Sequence, residues 1–388
     1  MTAAPPRRVA VVHDWLDTWG GGENVLARIL EAYPQADLFA LVDFLPEARR
    51  AELGGRRATT TFVQRMPAAR KHFRGYLPVF PRAIESLDLS SYDLVLSSSH
   101  AVAKGVRVQP PQVHVCYCHT PMRYAWDLRE QYLGPRGLAR GARGLVVNHL
   151  LDRLRDWDRA ASARVTAFVA NSAFVRERIA RSYGRDATVI PPPVDTVFFS
   201  PPAPDLPPPA RDYYFAASRL VPYKRLDLVA AAFALLPHQR LVIGGSGPEE
   251  ARVRAAARSN VEFAGHVSRE RMRELLCGAR AFVFAAEEDF GILPLEAQAC
   301  GTPVLAYGRG GARETVRPLG EARPTGLFFP EQTAASIAAA VTRFEAQRDV
   351  IDAADCRVQA LRFSTPRFLT DYTDFVERTW RAAAAARG

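Results

Sequence analysis

Two glutamates, Glu288 and Glu296, stand with seven residues between them, in the span between the apolar runs Phe282–Ala286 and Pro303–Tyr307. A carboxylate takes two O–H donors at once, which suits a vicinal diol on a sugar or a ribose. Between them Phe290, Gly291 and Ile292 open a helix, with Pro294 in its first turn and Gly301 at its C-terminal stop. Bare amide N–H groups and the positive end of the helix dipole are expected to project there, and a phosphate is the usual guest. Charged side chains are mostly solvated surface groups, and that reading stays open for both glutamates. Against it, the neighbours Leu293, Leu295, Ala297 and Ala299 are apolar, and the pair lies at a strand end.

Three further sets of residues carry chemistry. Arg219 and Lys224 follow the strand read over Asp212–Ser218, where fixed cations stabilise a departing diphosphate more than they stabilise its ground state. Gly20-Gly21-Gly22 lies between the strand Arg8–His13 and a helix opening near Glu23, and it lets backbone approach a diphosphate or simply makes a tight turn. His119 ends the strand Gln112–Cys118, where an imidazole either hydrogen-bonds sugar hydroxyls or carries partial positive charge. His100 ends the stretch after Tyr92–Ser97 with no assigned role. Ser172, after Asn171, is a good N-cap for the helix that follows.

Positioning these groups takes alternating strands and helices, hence doubly wound α/β units whose ligands bind beyond the carboxyl ends of the strands. Arg164–Ala170, Arg240–Gly244, Val261–Ala264 and Gly326–Phe329 read as further strands. Nine of the 29 prolines fall between Pro191 and Pro209, which marks a stiff connector between two halves. The pair Asp156 and Asp158 lies mid-helix among arginines and reads as surface charge pairing.

The glutamate–seven–glutamate spacing, the trailing ACGTPVLA with its Gly310-Gly311, the Arg219–x4–Lys224 pair and CHTPMRY together resemble one family. That family is the retaining, nucleotide-sugar-dependent glycosyltransferases of GT-B architecture, glycosyltransferase family 4. The resemblance implies an α/β fold of two doubly wound Rossmann-like domains facing across a cleft. Residues 1–200 would bind acceptor, 211–364 the nucleotide sugar, and a helix within 365–388 would cross back. It further implies that Glu288 contacts the transferred hexose and Glu296 the ribose. Gly20, Gly21, Arg219, Lys224 and the Phe290-Gly291-Ile292 start hold the diphosphate, with no metal. His119 meets the sugar, the Asn171-Ser172 junction approaches substrate, and the nucleobase meets backbone near His266 and Val267. Where many relatives read Pro-Asn-Gly-Val-Asp this chain has Pro192-Pro193-Val194-Asp195. VVHDWL, LDLSSYDLVLSSSHAVAKG and CHTPMRYAWD look most like bacterial mannosyltransferases of O-antigen or exopolysaccharide assembly, with GDP-mannose as donor and a saccharide or lipid-linked oligosaccharide as acceptor.

The 388 residues carry a formal charge of +10, which favours polyanions. No acidic residue lies between Glu52 and Glu85, whereas Arg56, Arg57, Arg65, Arg70, Lys71, Arg74 and Arg82 are basic and interleaved with Phe62, Phe73 and Phe80. An anionic membrane surface suits such a segment, as does an ordinary solvated face, and no nucleic-acid module is visible. A second arginine-rich amphipathic stretch covers 138–164. The five cysteines make no disulfide framework. With no signal peptide or apolar span, a cytoplasmic protein peripheral to the inner membrane face is expected. Two rivals stand beside the transferase: a sugar-nucleotide epimerase of the same fold, and a noncatalytic binder of polyanions or membranes.

Overall fold

The computed structural model describes residues 5–126, 141–203 and 210–386. It divides into two compact units, Met1–Pro192 with Phe368–Gly388, and Pro193–Arg367. Each is a parallel sheet sandwiched by helices.

In the first unit the strands are β1 (Val9–His13), β2 (Asp37–Ala40), β3 (Thr59–Thr60), β4 (Leu94–Ser99), β5 (Val113–Cys118), β6 (Ala167–Ala170) and β7 (Ala187–Val189). Their order is β3-β2-β1-β4-β5-β6-β7, every pairing parallel. β1, β4 and β5 are buried along their whole length, as a sheet covered on both faces requires. The second unit holds β8 (Tyr213–Ala217), β9 (Arg240–Gly244), β10 (Val261–Gly265), β11 (Ala279–Phe284), β12 (Val304–Tyr307) and β13 (Gly326–Phe329), in the order β10-β9-β8-β11-β12-β13. The order reverses between β1 and β4 in the first sheet and between β8 and β11 in the second. Those two switch points are where a doubly wound sheet opens for a ligand.

Apolar clusters cover both faces of each sheet. One face of the first is closed by the C-terminal helix, Thr365–Ala385. Its Phe368, Tyr372 and Val376 recur every four residues and are buried. The Phe368 and Tyr372 rings pack on Tyr117 of β5 at 5.9 and 6.2 Å.

β4 begins and ends two residues later than the sequence suggests, so Ser98 and Ser99 are strand residues and His100 follows directly. Asp158 corrects the surface reading of the Asp156–Asp158 pair. It is wholly buried, ion-paired to Lys104, and accepts from Trp126 Nε1 (2.8 Å) and the Tyr183 hydroxyl (2.7 Å). The basic segment before Glu85 forms short helical turns whose Phe73 and Phe80 belong to the core. Arg74 is ion-paired to Asp17, while Arg65, Arg70, Lys71 and Arg82 are exposed. Residues 127–140 and 204–209, which include part of the arginine-rich stretch and of the proline-rich connector, lie outside the described residues. Among the described residues no helix is long and apolar enough to cross a membrane, and the five cysteines are free and buried.

Candidate functional site

At the switch point of the second unit, the loop after β8 carries Arg219 and Lys224 and the loop after β11 carries Glu288. Leu220 N donates to Ser246 O (3.0 Å) and Glu249 N to Leu220 O (3.0 Å), tying the β8 loop to the Gly245–Gly247 turn. A Cβ on Gly245 would stand 1.8 Å from Ser218 O, so only glycine allows this approach. Lys224 ends a single helical turn and donates to the Glu288 carboxylate. Both side chains keep some access to solvent, 17% and 20%. Sequence separates the two groups, but the fold joins them. Arg219 is exposed in the same β8 loop.

Gly310 and Gly311, after β12, hold the acidic loop from below. Gly311 N donates to Glu288 O (2.9 Å), and a Cβ on Gly310, at φ +65°, would meet that oxygen at 2.3 Å. Phe290 is buried against Val194, Leu295 and Phe363, so its ring is core. Gly291, at φ +88°, begins the helix Ile292–Ala299 without any side-chain cap. Among the described residues the N–H groups of Gly291, Ile292 and Leu293 meet no protein acceptor. An anion fits such a set of donors.

Glu296 lies one turn into that helix. Burial pushes its carboxyl up to about 7, against the pull of Arg269 and with the push of Asp195. Arg269 is itself ion-paired to Asp195 and stacks 4.2 Å over Phe198. Glu296 therefore has a desolvated setting rather than that of a free surface residue. His266 is exposed in the loop after β10. Val267 packs on the end of β9, where a Cβ on Gly244 would lie 3.0 Å from its Cγ2. Gly245 N donates to Gly265 O (2.6 Å), which sets the β10 loop beside the glycine turn.

The first unit fills its switch point with imidazoles and carboxylates. Asp14, directly after β1, is fully buried and accepts from the amides of His100 (2.5 Å), Ala101 (3.0 Å), Val102 (2.6 Å) and Ala103 (2.6 Å). It also meets His100 Nδ1 at 3.0 Å. Burial alone would raise the carboxyl, but His100 and then His13 outweigh it and hold Asp14 well below the usual carboxylate range. The same pairing raises His100 against its own burial. His119 Nε2 and His13 Nδ1 share the hydroxyl of Ser98, at 2.8 and 3.1 Å. Burial, with His100 and His13 nearby, pushes His119 down to about 3, so its ring is neutral near neutrality. Of the two roles open to it, the hydrogen-bonding one fits; a resident positive charge does not.

The helix Gly21–Ala32 starts against this cluster. Gly20 N donates to Glu23 Oε2 (2.9 Å), and Gly22 lies beside both the His13 and His119 rings. Asn171 Nδ2 donates to His119 O (3.0 Å), and Ser172 caps the helix Ala173–Tyr183 by accepting from Val175 N (3.1 Å). Gly20, Gly21, His119, Asn171 and Ser172 thus gather at one sheet edge. His13, Asp14, Glu23 and Ser98 belong to the same cluster and escape a reading of the sequence by spacing. The available signal was a His-Asp pair closing β1 opposite a serine run closing β4.

A sequence model described as "Glycosyltransferase Family 4" matches residues 19–198, and one described as "Glycosyl transferases group 1" matches residues 204–361. The chain is 37% identical over 182 residues to the GDP-mannose-dependent alpha-(1-6)-phosphatidylinositol monomannoside mannosyltransferase of Mycolicibacterium smegmatis, covering 40% of this chain and 47% of that protein. It is 33% identical over 208 residues to the D-inositol 3-phosphate glycosyltransferase of Kineococcus radiotolerans, covering 45% and 47%. A Corynebacterium glutamicum relative, named as a GDP-mannose-dependent monoacylated alpha-(1-6)-phosphatidylinositol monomannoside mannosyltransferase, is 40% identical over 116 residues, covering 26% and 30%. The chain thus spans less than half the length of each of these relatives. Among solved structures it superposes on sucrose-phosphate synthase from Thermosynechococcus elongatus with a TM-score of 0.71 and 18% identity, covering 97% of this chain and 100% of that one. The Anabaena protein HepE in complex with UDP-glucose gives a TM-score of 0.68 and 18% identity, covering 95% and 99%. With one family description over each unit and GT-B glycosyltransferases matched along nearly its full length, the chain belongs to glycosyltransferase family 4 and has the GT-B fold.

Proposed function

We propose that this protein is a retaining glycosyltransferase that moves a hexose, mannose from GDP-mannose, onto a saccharide or lipid-linked saccharide in cell-surface polysaccharide assembly. The observation that carries the reading is the Lys224–Glu288 pair beside the uncapped helix start at Gly291. The open amides and Arg219 receive the diphosphate, and Lys224 exchanges part of its bond to Glu288 for a phosphate oxygen. Charge grows on that oxygen as the sugar bond breaks, so these donors act more strongly in the transition state than before it. Glu288, released in part, accepts hydroxyls of the hexose, and Glu296 accepts those of the ribose. The leaving phosphate takes the acceptor's proton on the face where the acceptor attacks, which retains the anomeric configuration without a metal. Relatives named as GDP-mannose-dependent support the choice of donor, and their phosphatidylinositol mannoside acceptors support a lipid-linked one. The exposed Arg65, Arg70, Lys71 and Arg82 suit a peripheral site on an anionic bilayer.

A panel of nucleotide sugars with crude lipid extract as acceptor, read by product mass and by release of GDP, UDP or ADP, tests this. GDP release with a mannosylated product is expected. Donor epimerised without acceptor would replace the reading with an epimerase, and no turnover of any sugar nucleotide would overturn it. Liposomes rich in anionic lipid should lose the protein when Arg70 and Lys71 are neutralised; undiminished binding would remove the membrane site.

A further inference from the structure

The cluster at the first switch point contains more polar groups than sugar contact requires, and their arrangement has a direction. His13 Nε2 is buried, makes no hydrogen bond, and faces Glu23 Oε1 at 3.6 Å. A ring lone pair pointed at a carboxylate is repelled, so the proton of His13 sits on Nε2. Its Nδ1 is then an acceptor and takes the Ser98 hydroxyl proton at 3.1 Å. Ser98 Oγ, having spent its one proton, can only accept from His119 Nε2 at 2.8 Å. His119 must therefore carry its proton on Nε2. Among the described residues nothing bonds to its Nδ1.

We propose that Glu23, His13 and Ser98 are positioning residues that lock His119 in the Nε2–H tautomer, so that Nδ1 presents a lone pair to a sugar hydroxyl. The proposal rests on the reading of His119 as a sugar contact. It deepens that reading by assigning the direction of the hydrogen bond and the three residues that impose it. The backbone is arranged to the same end. Glu23 Oε2 accepts from Gly20 N, which fixes its other oxygen toward His13. Asn171 Nδ2 on His119 O holds the ring's own backbone. With His13 in its neutral form, this chain of bonds makes Nδ1 an acceptor, and His119 is thereby matched to a hydroxyl-bearing ligand.

The test is a two-bond 1H–15N correlation spectrum of the full chain labelled at histidine, with His119 assigned by loss of its signals in His119→Asn. For the wild type, a pyrrole-like Nε2 and a pyridine-like Nδ1 are expected. Ser98→Ala should move both nitrogens toward the averaged shifts of a tautomer mixture, and Ser98→Thr, which keeps the hydroxyl, should restore them. In transfer assays Ser98→Ala should raise KM for a sugar substrate about three- to tenfold, the worth of one neutral hydrogen bond, with kcat little changed, and Ser98→Thr should recover it. A wild-type His119 protonated on Nδ1, or a spectrum unmoved by Ser98→Ala, overturns the proposal. The spectrum needs no turnover, so it fails or holds separately from the glycosyl-transfer reading: a locked tautomer in a protein that turns over no sugar nucleotide would refute only the latter.

Discussion

At the first switch point a carboxylate of the protein itself, Asp14, occupies four amide N–H groups of the loop after β4. At the second, the amides that open the helix Ile292–Ala299 have no protein acceptor among the described residues. Both sheets share one topology, with the same reversal between the equivalent strands. The difference lies in who supplies the anion. The first unit has satisfied these donors internally, with a histidine beside them that burial keeps neutral near neutrality. The second has left its donors open and placed a partly exposed lysine–glutamate pair beside them. A shared fold fixes the location of the ligand crevice, while side chains decide whether it is prefilled or vacant.

Removing the cation from the vacant site has the largest expected effect. Lys224→Met should lower kcat/KM for sugar transfer by about 10²- to 10³-fold, as loss of a charge-stabilising donor does elsewhere, with an unchanged circular dichroism spectrum. Activity within a factor of two of the wild type would show that Lys224 serves only to hold Glu288. Next in size is Gly310→Ala. Its Cβ must displace Glu288 O, and a shift of that loop by about 1 Å should cost about 10²-fold in kcat/KM, although residue 310 touches no substrate in the proposed reaction.

The comparison then turns from activity to stability. Asp14→Asn leaves a buried cluster without its charge and should lower unfolding free energy by about 2–4 kcal/mol. Glu288→Gln, at a partly solvated pair, should stay within about 1 kcal/mol. Denaturant midpoints for both variants measure the contrast, and equal losses would erase the distinction between a prefilled and an open site.

The last expected effect is one of pH. Burial, with Arg164 and Lys104 nearby, pushes His114 down to about 3, and its Nε2 bonds Ser97 Oγ at 2.8 Å. The unfolded chain takes up that proton below about 6.5, whereas the native chain does not, so acid favours unfolding. Between pH 6.5 and the native value His114 alone should remove about 1.4 kcal/mol per pH unit. His119 acts with the same sign, and His100, whose native value is raised, acts with the opposite one. Comparing unfolding of wild type and His114→Gln between pH 7 and 5 isolates the term: the variant should lose less stability on acidification, and parallel slopes would contradict it.

What the amino-acid sequence determined by itself was local. Alternating apolar runs placed Arg240–Gly244 and Gly326–Phe329 to the residue, Ser172 and Gly301 marked helix ends, and spacing picked out Glu288, Glu296, Arg219 and Lys224 as groups worth attention. Hydrophobic period and capping chemistry act over a turn or a strand, which is why they can be read along the chain. Only the tertiary structure decided the partners. Lys224 meets Glu288 across 64 positions, and Asp14 meets the amide of His100 across 86. Asp158, which looks like a surface charge by its neighbours in sequence, is buried because Lys104, Trp126 and Tyr183 surround it. Phe290 sits in a motif but gives its ring to the core. Such pairings depend on sheet order and on which loops share an edge, and neither leaves a periodic trace in the sequence.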